Sequence, residues 1–250
     1  MSNSLRIGRV FGLQVNVAFG WIAACGLASL SLMSLAPRLL PDASSVGVAL
    51  FGVTAAAIGA LSFALHELAH GVVLRTLGVP VRRVMLFLVG SVTDVERAPS
   101  PKTEALVSIV ALSLNAALAI VFHTLVRLGY GSFPRTTADV AALGYGGALL
   151  AWAAFVNVVV VAVELVPALP LDGGHLLRAL VRRLTGSFER STRCTAIAAQ
   201  VIGWSLMLAG LFLAVVTGPL AVWLALFGWF LASSAARAYE LTGLSAAVEE

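Results

Sequence analysis

Six long stretches of this chain carry almost no charge, and nothing else limits its fold as strongly. They are Val17–Ala36, Val46–Leu65, Ala105–Val126, a run within Val140–Leu169, Cys194–Thr217 and Pro219–Ala236. A helix crosses the hydrocarbon core of a bilayer with about 20 apolar residues. There the backbone must satisfy its own hydrogen bonds, which helices do. The expected fold is therefore an all-α polytopic membrane protein with about six transmembrane helices. Composition agrees: 11% of the residues are charged, against about a quarter in soluble domains. The first run follows Arg6 and Arg9, as the core of a signal peptide would. It is too long for one, and Pro37 follows Ser-Leu-Ala, so it reads as a retained anchor. Only Gly218 separates the last two runs, which predicts a C-terminal helical hairpin over 194–236. A core over 6–183 and this hairpin make one membrane domain, 1–250.

The charge distribution sets the expected orientation. With both termini on one side, that side receives all of the 16 basic residues except Arg38, Arg127 and Arg135. The side richer in Lys and Arg is cytoplasmic, so both termini are expected in the cytoplasm, with the protein in the cell membrane of a bacterium. The net charge of +4 does not signal nucleic acid, because the cations lie in short loops without interleaved aromatics. Cys25 and Cys194 are too distant in sequence, and too embedded in apolar runs, to suggest a disulfide or a Cys-based metal site. Between the second and third runs, Val81–Val89 and Ser91–Arg97 are rich in β-branched residues and flank Gly90. This pattern predicts a small β-hairpin at the cytoplasmic membrane edge.

The second run ends in His66-Glu67-Leu68-Ala69-His70. Ionisable groups at the edge of hydrocarbon are costly and usually functional. On a helix the i, i+4 spacing puts both imidazoles on one face, one turn apart, where two nitrogens can hold one ion. Glu67 lies beside them as a candidate general base. A catalytic zinc takes three protein ligands and keeps a position open, so a third ligand is needed. Within and just after the fourth run lie two acidic residues, Glu164 and Asp172. The fourth run delivers "VELVPALPLDGGHLLR" to the same side as HELAH. Pro167 and Pro170 break the helix there, so the segment can line a cavity, and Asp172 is the candidate third ligand.

HELAH joined to a later P-x-x-P-L-D-G-G resembles the site-2 protease family of intramembrane zinc metalloproteases. The likeness runs from about Arg6 to Arg183, with "SLRIGRVFGL" and "GSVTDVERAPSPKTEAL" also in the family's manner. The resemblance implies one Zn2+ per chain on His66, His70 and Asp172, with Glu67 as catalytic base. It implies a bilayer-embedded enzyme whose substrate is the transmembrane segment of a single-span protein. Bacterial relatives commonly release a transcription regulator, such as a sigma factor, by cutting a membrane-bound inhibitor or pro-segment. A membrane-bound regulatory partner is a further expectation. The form expected here is compact, without PDZ or CBS domains.

The sequence also departs from the family pattern. Glu164 stands where the family usually has Asn in N-x-x-P-x-x-P-L-D-G-G, and Ala111-Leu112 replaces a Gly-Pro shortly before Asn115. Preorganised donors stabilise an oxyanion. Asn115, Asn157, Glu164 and His175 are therefore the candidates for oxyanion binding or for supporting the metal ligands. Met85, Leu86, Phe87, Leu88, Val89 and Gly90 are the candidates for holding an unwound substrate as an added strand. Two other readings stay open: an inactive relative that binds membrane helices, and a metal or ion transporter.

Overall fold

In "LQVNVA" the apolar residues Leu13, Val15 and Val17 alternate with polar ones, the period of a strand with one buried face. The computed structural model describes residues 4–86, 91–95 and 99–249, of which 82, 91–95, 219 and 238–249 are described by their backbone alone. Strand β1 (Ser4–Val10) pairs antiparallel with β2 (Leu13–Ala18), and Val10 stands opposite Leu13. The turn is thus only Phe11 and Gly12, with φ of 49° and 77°. Positive φ at both central residues is what a two-residue hairpin turn of this hand requires.

From β2 the chain enters α1 (Phe19–Leu39) and returns through α2 (Ser45–Thr76), whose first turn is capped by Ser44 Oγ accepting the Gly47 N–H at 3.2 Å. Strand β3 (Val81–Leu86) then lies parallel to β2, with Asn16 opposite Met85 and Val17 opposite Leu86. With β4 (Ser91–Val95) the sheet order is β1-β2-β3-β4. Leu13, Val17, Val84 and Leu86 form its buried face, against which Ala64 and Val72 of α2 pack. The approach is close at Gly71, where a Cβ would lie 2.8 Å from Leu13 Cδ1 and 2.9 Å from Val84 Cγ2. The expected two-stranded hairpin is therefore part of a larger sheet, half of it built by the N-terminal segment. The turn at Gly90 lies outside the described residues.

Helix α3 (Pro101–Tyr130) opens with Ser100 Oγ accepting the Thr103 N–H at 3.2 Å and with Pro101 at the first helical position, where its missing N–H costs nothing. The short α4 (Thr137–Ala142) starts at a capping box between Thr136 and Asp139, and α5 (Gly144–Glu164) follows. One compact unit comprises Met1–Arg75, Pro80–Asp94 and Val110–Ala162. Its helical core gathers Leu32, Ala36, Phe51, Ala55 and Ala148, and the Trp152 indole N–H donates to Ala55 O at 2.8 Å.

The second unit comprises Thr76–Val79, Val95–Ile109 and Val163–Glu250. It holds the first turns of α3, then α6 (Asp172–Thr185), α7 (Phe188–Thr217), a single 3-10 turn at Pro219–Ala221 and α8 (Val222–Glu249). Glycines let α7 and α8 meet backbone to backbone. A Cβ on Gly203 would lie 2.6 Å from Ala232 N, and one on Gly210 or Gly228 would collide with the facing helix. Small residues at the contact are how helices pack where apolar burial gives no preference over lipid.

Among the described residues, five helices are long and apolar enough to cross a membrane: α1, α2, α3, α5 and α7. Helix α8 adds a shorter apolar stretch, Val222–Arg237. Replacing Gly210 with Leu should destabilise the second unit by about 1–3 kcal/mol through overpacking. Thermal unfolding in detergent should show a lowered midpoint for this variant and none for Val215→Leu, since Val215 is 88% exposed.

Candidate metal centre

Helix α2 does not stop at Leu65. It runs to Thr76, so His66, Glu67 and His70 sit within a continuous helix. The one-turn spacing brings His66 Nε2 and His70 Nε2 to 3.2 Å, with ring centroids 5.0 Å apart. His66 is 1% exposed and Glu67 7%, while His70 is half-buried. On the other side of its ring, His66 Nδ1 lies 2.8 Å from Asn115 Oδ1 on α3. Asn115 Nδ2 in turn donates to Asn157 Oδ1 on α5 at 2.8 Å. Asn115 and Asn157 are both fully buried and stand behind His66 rather than in front of it.

In the second unit, Asp172 is the first residue of α6 and 2% exposed. The N-cap, Leu171, provides no side-chain acceptor. Glu164 provides one instead, its Oε2 accepting the Asp172 N–H at 3.1 Å. A carboxylate at a helix N-terminus is favoured by the local dipole and by the orphan N–H groups there. The residue that departs from the family pattern thus holds the start of the Asp172 helix. Gly173 and Gly174 follow because a Cβ at either would collide with the backbone of Leu165–Leu169.

His175 points to a different partner. Its Nδ1 lies 3.0 Å from Glu104 Oε1, which also accepts from Arg178 Nε at 2.7 Å. Arg182 Nη1 donates to Pro99 O at 2.8 Å, and Arg178 and Arg182 both lie over the Phe188 ring. His175 therefore belongs to a tether between the start of α3 and α6. Sequence reasoning missed Glu104, which looks like a routine acidic residue in a helix's first turn. Its burial, 4% exposed, was not legible without a partner. His123, at the far end of α3, is exposed and stacks on Phe133 with centroids 4.4 Å apart.

The strand candidates are placed only in part. Met85 and Leu86 lie on β3, an inner strand with β2 on one side and β4 on the other. A strand added to this sheet would pair at an edge, which is β1 or β4. Phe87, Leu88, Val89 and Gly90 lie outside the described residues.

Residues 131–209 match the family described as Peptidase family M50. Rip3 of Mycobacterium tuberculosis is 33% identical over 237 residues, covering 94% of this chain and 58% of its own length. The Synechocystis protein sll0528 is 28% identical over 244 residues, 94% of this chain and 59% of its own. Both names carry the words zinc metalloprotease. The chain thus spans about three fifths of the length of these curated relatives. A solved site-2 protease from Methanocaldococcus jannaschii has the same fold, with a TM-score of 0.64 at 20% identity, covering 94% of this chain and 95% of that one. The chain is a relative of these proteins, in agreement with the resemblance carried by HELAH and LDGG.

Removing the acceptor at the start of α6 by Glu164→Ala should cost about 0.5–2 kcal/mol, as the loss of a helix cap does. Glu164→Gln keeps an oxygen and should recover most of it. Amide hydrogen exchange over 172–176 reads the difference directly.

Proposed function

We propose that this chain is the membrane-embedded catalytic part of a zinc metalloprotease of the site-2 protease type. It hydrolyses a peptide bond in or near the transmembrane segment of a single-span protein. The observation that carries the reading is the pair of imidazole Nε2 atoms brought to 3.2 Å on α2, with Glu67 beside them. With Asp172, which the family resemblance implies as the third ligand, His66 and His70 supply two imidazoles and a carboxylate. This nitrogen-and-oxygen set suits zinc with one position left open.

When bound there, zinc polarises a peptide carbonyl and makes water a stronger acid. Glu67 takes a proton from the attacking water on its carboxylate and returns it to the leaving amine nitrogen as the carbon–nitrogen bond breaks. His66 is held from behind by Asn115, so its ring cannot swing away while substrate enters. Asp172 is presented by a helix start that Glu164 secures. A peptide bond inside a helix is shielded by its own hydrogen bonds, so the substrate first unwinds locally. The edge strand β4 is where the unwound stretch would pair, which is strand addition.

The orientation supported by the Lys and Arg distribution puts both termini and the cut on the cytoplasmic side of the cell membrane. Cleavage there frees a domain anchored on that side, and a membrane-tethered sigma factor or its inhibitor is the proposed substrate class.

The test is cleavage of a tagged single-span substrate by the purified chain in detergent, beside Glu67→Gln, with bound zinc measured for both. The Gln variant should keep its zinc and lose at least about 10²-fold in rate, the usual contribution of a positioned proton carrier. Cleavage at the wild-type rate by Glu67→Gln would sink the assignment. Stripping the metal with a chelator should abolish cleavage, and adding zinc back should restore it.

A further inference from the structure

Asn115 and Asn157 each place an amide inside a helix made otherwise largely of apolar residues, and both are 0% exposed. Buried amides must be hydrogen-bonded, since an unmet one costs several kcal/mol in hydrocarbon. Their bonds form a chain with a single direction. Asn157 Nδ2 lies 2.8 Å from Ala153 O and 3.1 Å from Ser62 Oγ. A main-chain carbonyl has no proton to give, so the nitrogen of Asn157 must face it and Oδ1 must face Asn115. Asn115 therefore turns Nδ2 towards that oxygen, with Ser62 O at 3.4 Å as a second acceptor. Its own Oδ1 is left for His66 and can only accept. The hydrogen in the 2.8 Å contact between Asn115 and His66 thus belongs to His66 Nδ1.

A neutral imidazole with its proton on Nδ1 has a bare Nε2. In His66 that bare nitrogen is the one facing His70 Nε2 at 3.2 Å. We propose that Asn115, oriented by Asn157, is a positioning residue that locks His66 into the Nδ1–H tautomer, so that the Nε2 lone pair is aimed at the metal before metal arrives. The inference rests on the zinc reading above. The polarity of the relay is set by Ala153 O, a backbone atom that no side-chain substitution changes. If the two amides served only to hold α2, α3 and α5 together, the His66 tautomer would not depend on Asn115.

The experiment uses the full chain in detergent, 15N-labelled on histidine. NMR of the metal-free protein reads which ring nitrogen carries the proton, and chelator competition reads zinc affinity. Wild type should show His66 with its proton on Nδ1. Asn115→Asp keeps an acceptor oxygen and should keep both the pattern and the affinity. Asn115→Leu should move His66 towards the Nε2–H form and weaken zinc about 10–100-fold, the usual cost of removing a ligand's outer partner. A folded Asn115→Leu protein with an unchanged His66 pattern and wild-type zinc affinity overturns the proposal. Should the Leu variant not fold, Asn157→Ala decides, because it leaves only the long 3.4 Å contact with Ser62 O to orient the Asn115 amide. A mixed His66 pattern then supports the relay, and an unchanged one overturns it. If wild type binds no zinc at all, the metalloprotease reading fails, while the tautomer pattern of the metal-free protein still tests the relay.

Discussion

Hydrogen bonds made away from water govern the first unit. In hydrocarbon, apolar side chains gain nothing by leaving lipid for protein, so they cannot by themselves choose how α2, α3 and α5 face one another. A polar side chain can, because leaving it unmet is expensive. Ser62 and His66 on α2, Asn115 on α3 and Asn157 on α5 satisfy one another in a closed set, and Trp152 finds Ala55 O on α2. Each bond fixes an azimuth and a depth that packing alone would leave loose. The groups that align the helices are also the groups that stand behind the proposed metal ligand.

The second unit solves a different problem. Asp172 begins a helix whose N-cap residue is a leucine, and Glu164 supplies the missing acceptor from the end of α5. The paired glycines then let the helix start press against the loop before it. Further along α6, His175 and Arg178 converge on Glu104 Oε1, and Arg182 reaches the backbone at Pro99. The helix that carries Asp172 is thus fixed at its first turn and again about two and three turns along.

The spans were legible because charge is nearly absent from them, and HELAH was legible because two histidines and a glutamate at that spacing have few other uses. The N-terminal strands were not, although Leu13–Val17 alternates cleanly. That alternation runs straight into the apolar stretch of α1, and a short strand merging into a long helix loses its period. The Gly90 hairpin was seen as a pair because the partner of β3 lies 69 positions earlier, at β2. Glu164 could be noticed as unusual, but its task was unreadable, since it acts on a backbone N–H and leaves no sequence partner. The same holds for Asn115 and Asn157: two amides can be counted from sequence, whereas the direction of the bonds between them depends on a carbonyl.

The parallel pairing of β2 with β3 has a consequence for biosynthesis. Two whole helices, α1 and α2, separate the paired strands. An antiparallel hairpin such as β1–β2 can close as soon as it leaves the ribosome, but β3 does not exist until both helices have been made. The N-terminal hairpin must therefore wait at the membrane surface, with its Leu13–Val17 edge unmatched, until α2 has been threaded back. The sheet is a late lock on a helix pair inserted earlier, and a ribosome stalled between positions 45 and 80 would leave that edge available to other chains.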